Sequence, residues 1–182
     1  MPRKYDLGRR ADAKADTRRQ IIAAAVALHA TVGPAKTTIS AIAERAGVQR
    51  LTVYRHFPSE RDLFAACGAH WLAENPPPDP APWAAIADPR ERLITALSAI
   101  YGWYRANEGM IGNTERDAPA LPALAAVADS STYLDPVRDL LGPSEQKAAL
   151  GHALAFSTWR SLTRDQGLSD EAAAVLISRI VG

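Results

Sequence analysis

The sequence predicts an all-α protein with a small N-terminal helical domain and a larger helical body. Apolar residues recur at steps of three and four, and no segment sustains the two-residue alternation of a half-buried strand. The run NPPPDPAP, residues 75–82, can neither continue a helix nor pair as a strand, so it divides the chain. We therefore predict a flexible basic arm over 1–15, a first domain over 16–74, a Pro-rich connector over 75–88 and a second domain over 89–182.

The charge of the chain is unevenly distributed along its length. Residues 1–61 hold twelve Lys and Arg against five Asp and Glu, whereas residues 62–182 hold nine against fifteen. A basic front and an acidic back predict that the front meets a polyanion such as DNA. The alternative is an N-terminus that is merely polar.

Cysteine content and hydropathy indicate the compartment. The one cysteine, Cys67, excludes an intramolecular disulfide framework, and no leader of basic, apolar and small residues opens the chain. No run of about 18 uncharged apolar residues occurs, so no membrane span is predicted. We expect a cytoplasmic protein.

The N-terminal domain shows clear start and stop signals for helices. The first helix is predicted to begin near Asp16 or Thr17 and to end at Gly33-Pro34. Thr38 is placed to cap the start of a second helix, and Gly47 supplies the turn that ends it. A short third helix then occupies 49–56.

Similar signals organise the rest of the chain. Ser59 with Asp62 resembles a capping box at the start of a fourth helix, which ends at the prolines after Asn75. Asp88-Pro89 opens a long helix to about residue 107. Further helices are predicted over 110–116, over 121–141 with a bend or break before Pro136, over 144–167 as one long helix, and from the Ser169 cap to about 181.

The segment TTISAIAERAGVQRLTVYRHFPSERDLF, residues 37–64, resembles the N-terminal helix-turn-helix of the tetracycline-repressor (TetR) family of bacterial regulators. The resemblance covers about residues 15–72 without gaps, and Ala46-Gly47-Val48 and His56-Phe57-Pro58-Ser59 are its most specific elements. It implies a dimeric DNA-binding regulator with a C-terminal ligand pocket. The chain departs from the family pattern at four positions, which are His29, Gln49, Leu51 and Glu60.

The third helix is predicted to enter the major groove of DNA. Val48, Val53 and Phe57 can face the core, which leaves polar residues free to reach base edges, such as an Arg for guanine or a Gln for adenine. The resemblance implies that Tyr54 and His56 contact the DNA backbone. The predicted DNA-binding residues are Lys36, Thr37, Thr38, Gln49, Arg50, Leu51, Thr52, Tyr54, His56, Ser59 and Arg61. The alternatives are that Tyr54 packs its ring in the protein and that Arg50 is a solvated surface charge.

The C-terminal domain is predicted to dimerise. From residue 150 to 162 only His152 and Arg160 are ionisable, so the helix there must be covered on nearly every side. We expect a homodimer with two helices from each subunit, the alternative being a monomer with an ordinary core helix. The predicted interface residues are Leu150, Leu154, Ser157, Ser161, Ala173, Leu176, Ile177 and Ile180.

An aromatic and Met-containing set in the same domain is suited to lining a pocket for a small apolar effector. The candidates are Trp103, Tyr104, Met110, Ile111, Thr114, Tyr133, Phe156 and Trp159. The alternative is that these side chains are ordinary core residues.

Taken together, these patterns predict a transcriptional regulator, in particular a repressor of a palindromic operator that a small molecule releases. A regulator that needs its ligand to bind DNA, or an activator, is the nearest alternative, and a helical ligand carrier or enzyme with a vestigial DNA-binding head is the other. No catalytic residues, cofactor or metal are predicted: Cys67, His70 and Glu74 share one side of a helix, but no second cluster accompanies them. The sequence also lacks a phosphate-binding loop or nucleophile motif.

Overall fold

The computed structural model describes residues 3–128 and 130–181. Positions 1, 2, 129 and 182, which the predicted arm and second domain include, lie outside the described residues. Every regular element in the described ranges is helical, so the predicted all-α class is confirmed. None of these helices combines the length and apolar character that crossing a bilayer requires.

Twelve α-helices follow one another in the described ranges. In chain order they are α1 Arg3–Thr31, α2 Ile39–Arg45, α3 Arg50–His56, α4 Glu60–Glu74, α5 Ala81–Ala84, α6 Pro89–Ala106, α7 Glu108–Asp117, α8 Pro122–Ala125, α9 Ser131–Leu141, α10 Lys147–Ala153, α11 Phe156–Arg160 and α12 Asp170–Val181. Short 3-10 turns lie at Pro34–Lys36, Ala118–Ala120 and Ser144–Gln146, and a π turn lies at Ser161–Asp165.

The chain forms two compact units. The N-terminal unit holds residues 3–75 together with 112–128, and the C-terminal unit holds 76–111 together with 130–181. Residues 112–128, which the sequence division placed in the second domain, thus make their contacts within the N-terminal unit. The functional roles of the two domains stay predictions.

The predicted start of the first helix near Asp16 is wrong, since α1 already begins at Arg3. Residues 9–15 are Arg, Ala and Lys, which favour helices, with Asp12 as the one weak helix former. Their helix propensity is enough to extend α1 here although these side chains are not buried. The hydroxyl of Thr17 does not cap a helix but donates to the Ala13 carbonyl, 2.9 Å away, inside the same helix. A lack of apolar anchors therefore did not prevent helix formation here, and the flexibility of the arm stays a prediction.

The N-terminal unit has its own core beneath α1–α4. The residues that form it are Ile21, Ile22, Ala24, Ala25, Ile42, Ala43, Val53, Phe57, Leu63 and Cys67. His29 is also buried and lies beside Phe64, with 5.5 Å between the ring centroids. The predicted inward orientation of Val53 and Phe57 is confirmed, and Val48 packs against the same core. Helix α3 therefore packs against this core through one side, that of Val53, and its other side does not contribute to the core.

The C-terminal unit is organised around α6 and α12, which supply much of its core. The hydroxyl of Tyr101 donates to the Ala153 carbonyl and that of Tyr104 to the Leu154 carbonyl, each at 2.7 Å. These bonds satisfy carbonyls at the end of α10, where the chain leaves the helix. The backbone at Ala155 is extended, with ψ of 137°. The prediction of one long helix over 144–167 is therefore wrong, because buried tyrosines take over carbonyls that a continuous helix would use.

A second helix prediction also needs correction. The segment 121–141 breaks between α8 and α9 rather than before Pro136, which lies inside α9. Burial of Val137 and Leu141 holds that helix although the proline removes one of its hydrogen bonds. The predicted helices opened by Asp88 and Ser169 are confirmed, with cap bonds from Glu91 N–H at 2.7 Å and Ala172 N–H at 3.1 Å.

Candidate nucleic-acid interface

The turn between α2 and α3 is closed by local hydrogen bonds. Thr38 caps α2, its hydroxyl oxygen accepting from Ala41 N–H at 3.1 Å. At the other end Gly47 adopts φ of +66°, Gly47 N–H donates to the Glu44 carbonyl at 3.1 Å, and Val48 N–H donates to the Ala43 carbonyl at 2.9 Å. This pair of bonds is the Schellman arrangement, which favours glycine at the left-handed position. The predicted cap and turn are confirmed.

Helix α3 presents one side to the core and the other to solvent. Val53 is fully buried and Phe57 is 3% exposed. On the opposite side Leu51 is 57% and Tyr54 47% exposed, and Arg50 is exposed as well. A large apolar side chain and a tyrosine ring without cover, on a helix that is otherwise anchored, mark a surface prepared for a partner. Neither Arg50 nor Tyr54 is buried under another helix, so Tyr54 does not pack its ring in the core.

Cations of α1 lie near the end of α3. The guanidinium carbon of Arg18 lies 4.5 Å from the centre of the Phe57 ring. Partial burial lowers the pKa of the neighbouring His56, and the positive charges of Lys14 and Arg18 lower it further. The α3 C-terminus is thus surrounded by positive charge that a phosphate would neutralise.

The start of α2 and the start of α4 border α3. Lys36 and Thr38 are exposed, whereas Thr37 is half-buried and its hydroxyl donates to the Gly33 carbonyl at 2.8 Å. Ser59 caps α4, accepting from Asp62 N–H at 3.1 Å, as predicted. An exposed helix start of this kind offers backbone N–H groups to a phosphate.

All eleven predicted DNA-binding residues lie in the N-terminal unit, and each is exposed or half-buried. Their contacts with DNA stay predictions. The sequence reasoning omitted Arg55, an exposed cation four residues after Leu51 and therefore on the same side of α3. That spacing was available in the sequence and could have identified it.

The predicted pocket residues separate into two groups. Tyr104, Phe156 and Trp159 are buried against one another, with ring centroids of Tyr104 and Phe156 5.4 Å apart and those of Phe156 and Trp159 5.1 Å apart. The indole N–H of Trp159 donates to Asp170 at 2.8 Å. These three residues are buried in the core of their unit, and their role in a pocket stays a prediction. The others are half-buried, namely Trp103, Met110, Ile111, Thr114 and Tyr133.

A cavity of about 230 Å³ lies elsewhere in the C-terminal unit. Its lining consists of Arg138, Asp139, Gly142, Pro143, Ser144 and Lys147. None of the predicted pocket residues contributes to it.

The predicted dimer residues separate in the same way. Leu150, Leu154, Ala173 and Ile177 are buried in the core of their own unit. Four residues of the set remain exposed: Ser157, Ser161, Leu176 at 38% and Ile180 at 70%. The interface itself stays a prediction.

Two short helices joined by a glycine turn, the second of them exposed on its outer side, form a helix-turn-helix, a motif typical of DNA-binding domains. Residues 21–67 match the family described as bacterial regulatory proteins, tetR family. Over these residues the chain is similar to that family.

A relative by sequence is an uncharacterized HTH-type transcriptional regulator of Mycobacterium tuberculosis. It is 32% identical over 95 residues, which cover 52% of this chain and 48% of the relative. The chain therefore spans about half the length of the curated relatives it matches.

The fold is shared with solved structures over nearly the whole chain. A TetR-like transcriptional regulator from Rhodococcus sp. RHA1 is 22% identical with a TM-score of 0.61, covering 91% of this chain and 93% of that one. The multidrug binding protein EbrR, solved with imidazole, is 20% identical with a TM-score of 0.62, covering 91% and 94%. At these identities the likeness establishes the fold alone.

Proposed function

We propose that this chain is a DNA-binding transcriptional regulator that represses genes from a palindromic operator. The observation that carries this proposal is the two-sided character of α3. Val53 and Phe57 anchor it, while Arg50, Leu51 and Tyr54 point outward with no protein cover. A helix held in this way can enter the major groove without any rearrangement of its core.

Each exposed residue of α3 has a chemical role in that complex. Arg50 can donate two hydrogen bonds to the O6 and N7 atoms of a guanine, and the Leu51 side chain can contact a thymine methyl. Tyr54, His56 and Lys36 donate to phosphates, which fixes the register of the helix without reading sequence. Base discrimination should therefore depend on Arg50 and Leu51, and general affinity on Tyr54, His56 and Lys36.

A palindromic operator requires two copies of the chain. A two-fold dimer presents its recognition helices about 34–36 Å apart, which is one turn of B-DNA. The exposed apolar side chains of α12, Leu176 and Ile180, are suited to contact a second copy. Ser157 and Ser161 are exposed small residues that allow close approach. Because DNA is the partner, we place the protein in the cytoplasm.

A small apolar molecule is the proposed effector. The half-buried Trp103, Met110, Ile111 and Tyr133 provide an aromatic and thioether surface in the C-terminal unit, and EbrR is described as a multidrug binding protein. Such a molecule releases the operator only if it binds the DNA-incompetent state more tightly than the competent one. No enzymatic reaction is proposed for the chain.

A gel-shift titration with DNA that flanks the chain's own gene tests the proposal. We expect a sequence-selective complex that weakens steeply with salt, because phosphate contacts release counterions. Arg50→Ala should relax base preference, whereas Arg90→Ala, an exposed arginine at the start of α6, serves as the matched control and should bind as the wild type does. A wild-type protein without any selective complex would favour the ligand carrier or enzyme instead.

A further inference from the structure

Three polar residues of the N-terminal unit hold the segment that precedes the helix-turn-helix. We call Asn113, Arg116 and Asp117 the polar latch. They lie in the second half of α7, and Asn113 and Asp117 contact backbone groups more than 80 positions earlier in the chain. No residue of the latch is among those predicted to touch DNA.

Asn113 holds the end of α1. Its side-chain amide nitrogen donates to the carbonyls of His29 and Ala30, each at 3.0 Å. The last carbonyls of a helix have no partner within it, and these two are among them. The amide therefore fixes where α1 ends relative to α7 inside this unit.

Asp117 holds the turn that follows. Its Oδ2 accepts from Ala35 N–H at 2.9 Å, and the carboxylate receives Arg116 Nε at 2.7 Å and Nη2 at 3.0 Å. Arg116 Nη1 in turn donates to Asn113 Oδ1 at 2.7 Å, which closes the network. Asp117 is only 6% exposed. The Arg116 hydrogen bond holds the pKa of that carboxyl below its usual range, so the network stays charged at neutral pH.

The turn is shaped to accept this network. A Cβ at Gly33 would lie 2.2 Å from Arg116 Nη2 and 2.6 Å from Asp117 Oδ2, so a larger residue has no room. The Gly33 carbonyl accepts the Thr37 hydroxyl at 2.8 Å. The bonds from Asp117 to Ala35 N–H and from Thr37 to the Gly33 carbonyl therefore constrain the segment from Gly33 to Thr37. Lys36 and Thr38, at the end of this segment, are exposed to solvent.

We propose that Asn113, Arg116 and Asp117 are positioning residues for DNA binding, which fix the 33–37 turn so that Lys36 and Thr38 meet the backbone of the duplex. This inference rests on the proposed function. A buried carboxylate paired with an arginine is costly to desolvate, and in some proteins such a pair fixes one arrangement rather than adding stability. In this protein the pair would fix the position of the exposed Lys36 beside α3.

The first test compares two asparagines that lose the same kind of bond. Asn113→Ala removes a side-chain amide that donates hydrogen bonds to carbonyls at the end of α1. Asn107→Ala removes a side-chain amide that donates in the same way to the Trp103 carbonyl, 2.9 Å away, in the C-terminal unit. For each variant the affinity for selected operator DNA is measured from low to high salt, with the folded fraction checked by circular dichroism. Asn113→Ala should bind about tenfold more weakly and show a salt slope shallower by about one, since one phosphate contact is lost. Asn107→Ala should keep the wild-type slope.

The second test asks whether the latch acts through Lys36. Asp117→Asn and Lys36→Ala should each weaken binding about tenfold, and together they should weaken it by far less than the hundredfold of independent sites. Independent, multiplicative losses would overturn the proposal, as would an unchanged salt slope in folded Asn113→Ala. If Lys36→Ala weakens binding and the latch variants do not, the latch role fails while the proposed function stands. If the wild type itself forms no selective complex, both fail.

Discussion

Replacing Gly33 with alanine should destabilise the N-terminal unit. Gly33 has φ of 94° and ψ of 155°, a conformation that is essentially restricted to glycine. The new Cβ would also fall 2.2 Å from Arg116 Nη2, which must move. The substitution therefore combines backbone strain with displacement of the polar latch.

Both contributions can be given a magnitude. A residue forced into this backbone region costs about 1–3 kcal/mol. Moving Arg116 and Asp117 leaves Ala35 N–H without its acceptor, and because Ala35 is exposed this loss is that of an ordinary hydrogen bond, about 0.5–1.5 kcal/mol. We therefore expect Gly33→Ala to lower the free energy of unfolding by about 1.5–4.5 kcal/mol, the sum of the two ranges. Losses of that size are large for a small domain.

Gly68→Ala provides the matched control for this prediction. Gly68 lies inside α4, and a Cβ there would meet no atom within 4 Å. Alanine is the better helix former by about 1 kcal/mol, so this variant should be more stable than the wild type. The assay is urea unfolding followed by circular dichroism, with amide hydrogen exchange to assign the change to the N-terminal unit. A Gly33→Ala midpoint equal to or above that of the wild type would refute the reasoning.

Three further predictions concern other residues of the N-terminal unit. Arg50→Ala should relax base preference, whereas Tyr54→Phe should weaken binding evenly across sequences; sequencing of selected DNA checks this, and an even loss for Arg50→Ala would contradict it. Burial lowers the pKa of His29 to about 4 against an attraction from Asp117, so its native form is neutral. Stability should be fully present above pH 6.5 and should fall by up to about 3 kcal/mol towards pH 4; His29→Phe should flatten that dependence, and identical pH profiles for both proteins would count against it. Burial raises the pKa of Cys67 to about 12, so alkylation at pH 8 should be slow in the native protein and fast in urea; rapid native labelling would show that the thiol is exposed.

The local features of the DNA-binding domain were predictable from sequence because their causes lie within a few residues. Thr38, Gly47 and Ser59 act on backbone groups three to five positions away, and the inward side of α3 follows from helical spacing. A short window of sequence therefore contains the whole physical argument for these elements. The resemblance of the same window to a known family rests on those residues.

Features that depend on distant partners were not predictable in this way. The break after α10 follows from the hydroxyls of Tyr101 and Tyr104, about 50 positions earlier in the chain. The latch joins Asn113 to the His29 carbonyl across 84 positions. Helical periodicity identified Tyr104, Phe156 and Trp159 as apolar, but it contains no signal that separates a pocket wall from a core. Only the packed structure makes that distinction.

The most direct test of the account is methylation interference on the selected operator bound by the wild-type protein. Methyl groups at guanine N7 lie in the major groove and should block binding at two sites about one helical turn apart, whereas a minor-groove ligand such as netropsin should have little effect. In the Arg50→Ala variant, the preference for guanine at the position that Arg50 contacts should disappear. Binding that tolerates every N7 methyl group and yields to netropsin would contradict the claim that α3 reads the major groove.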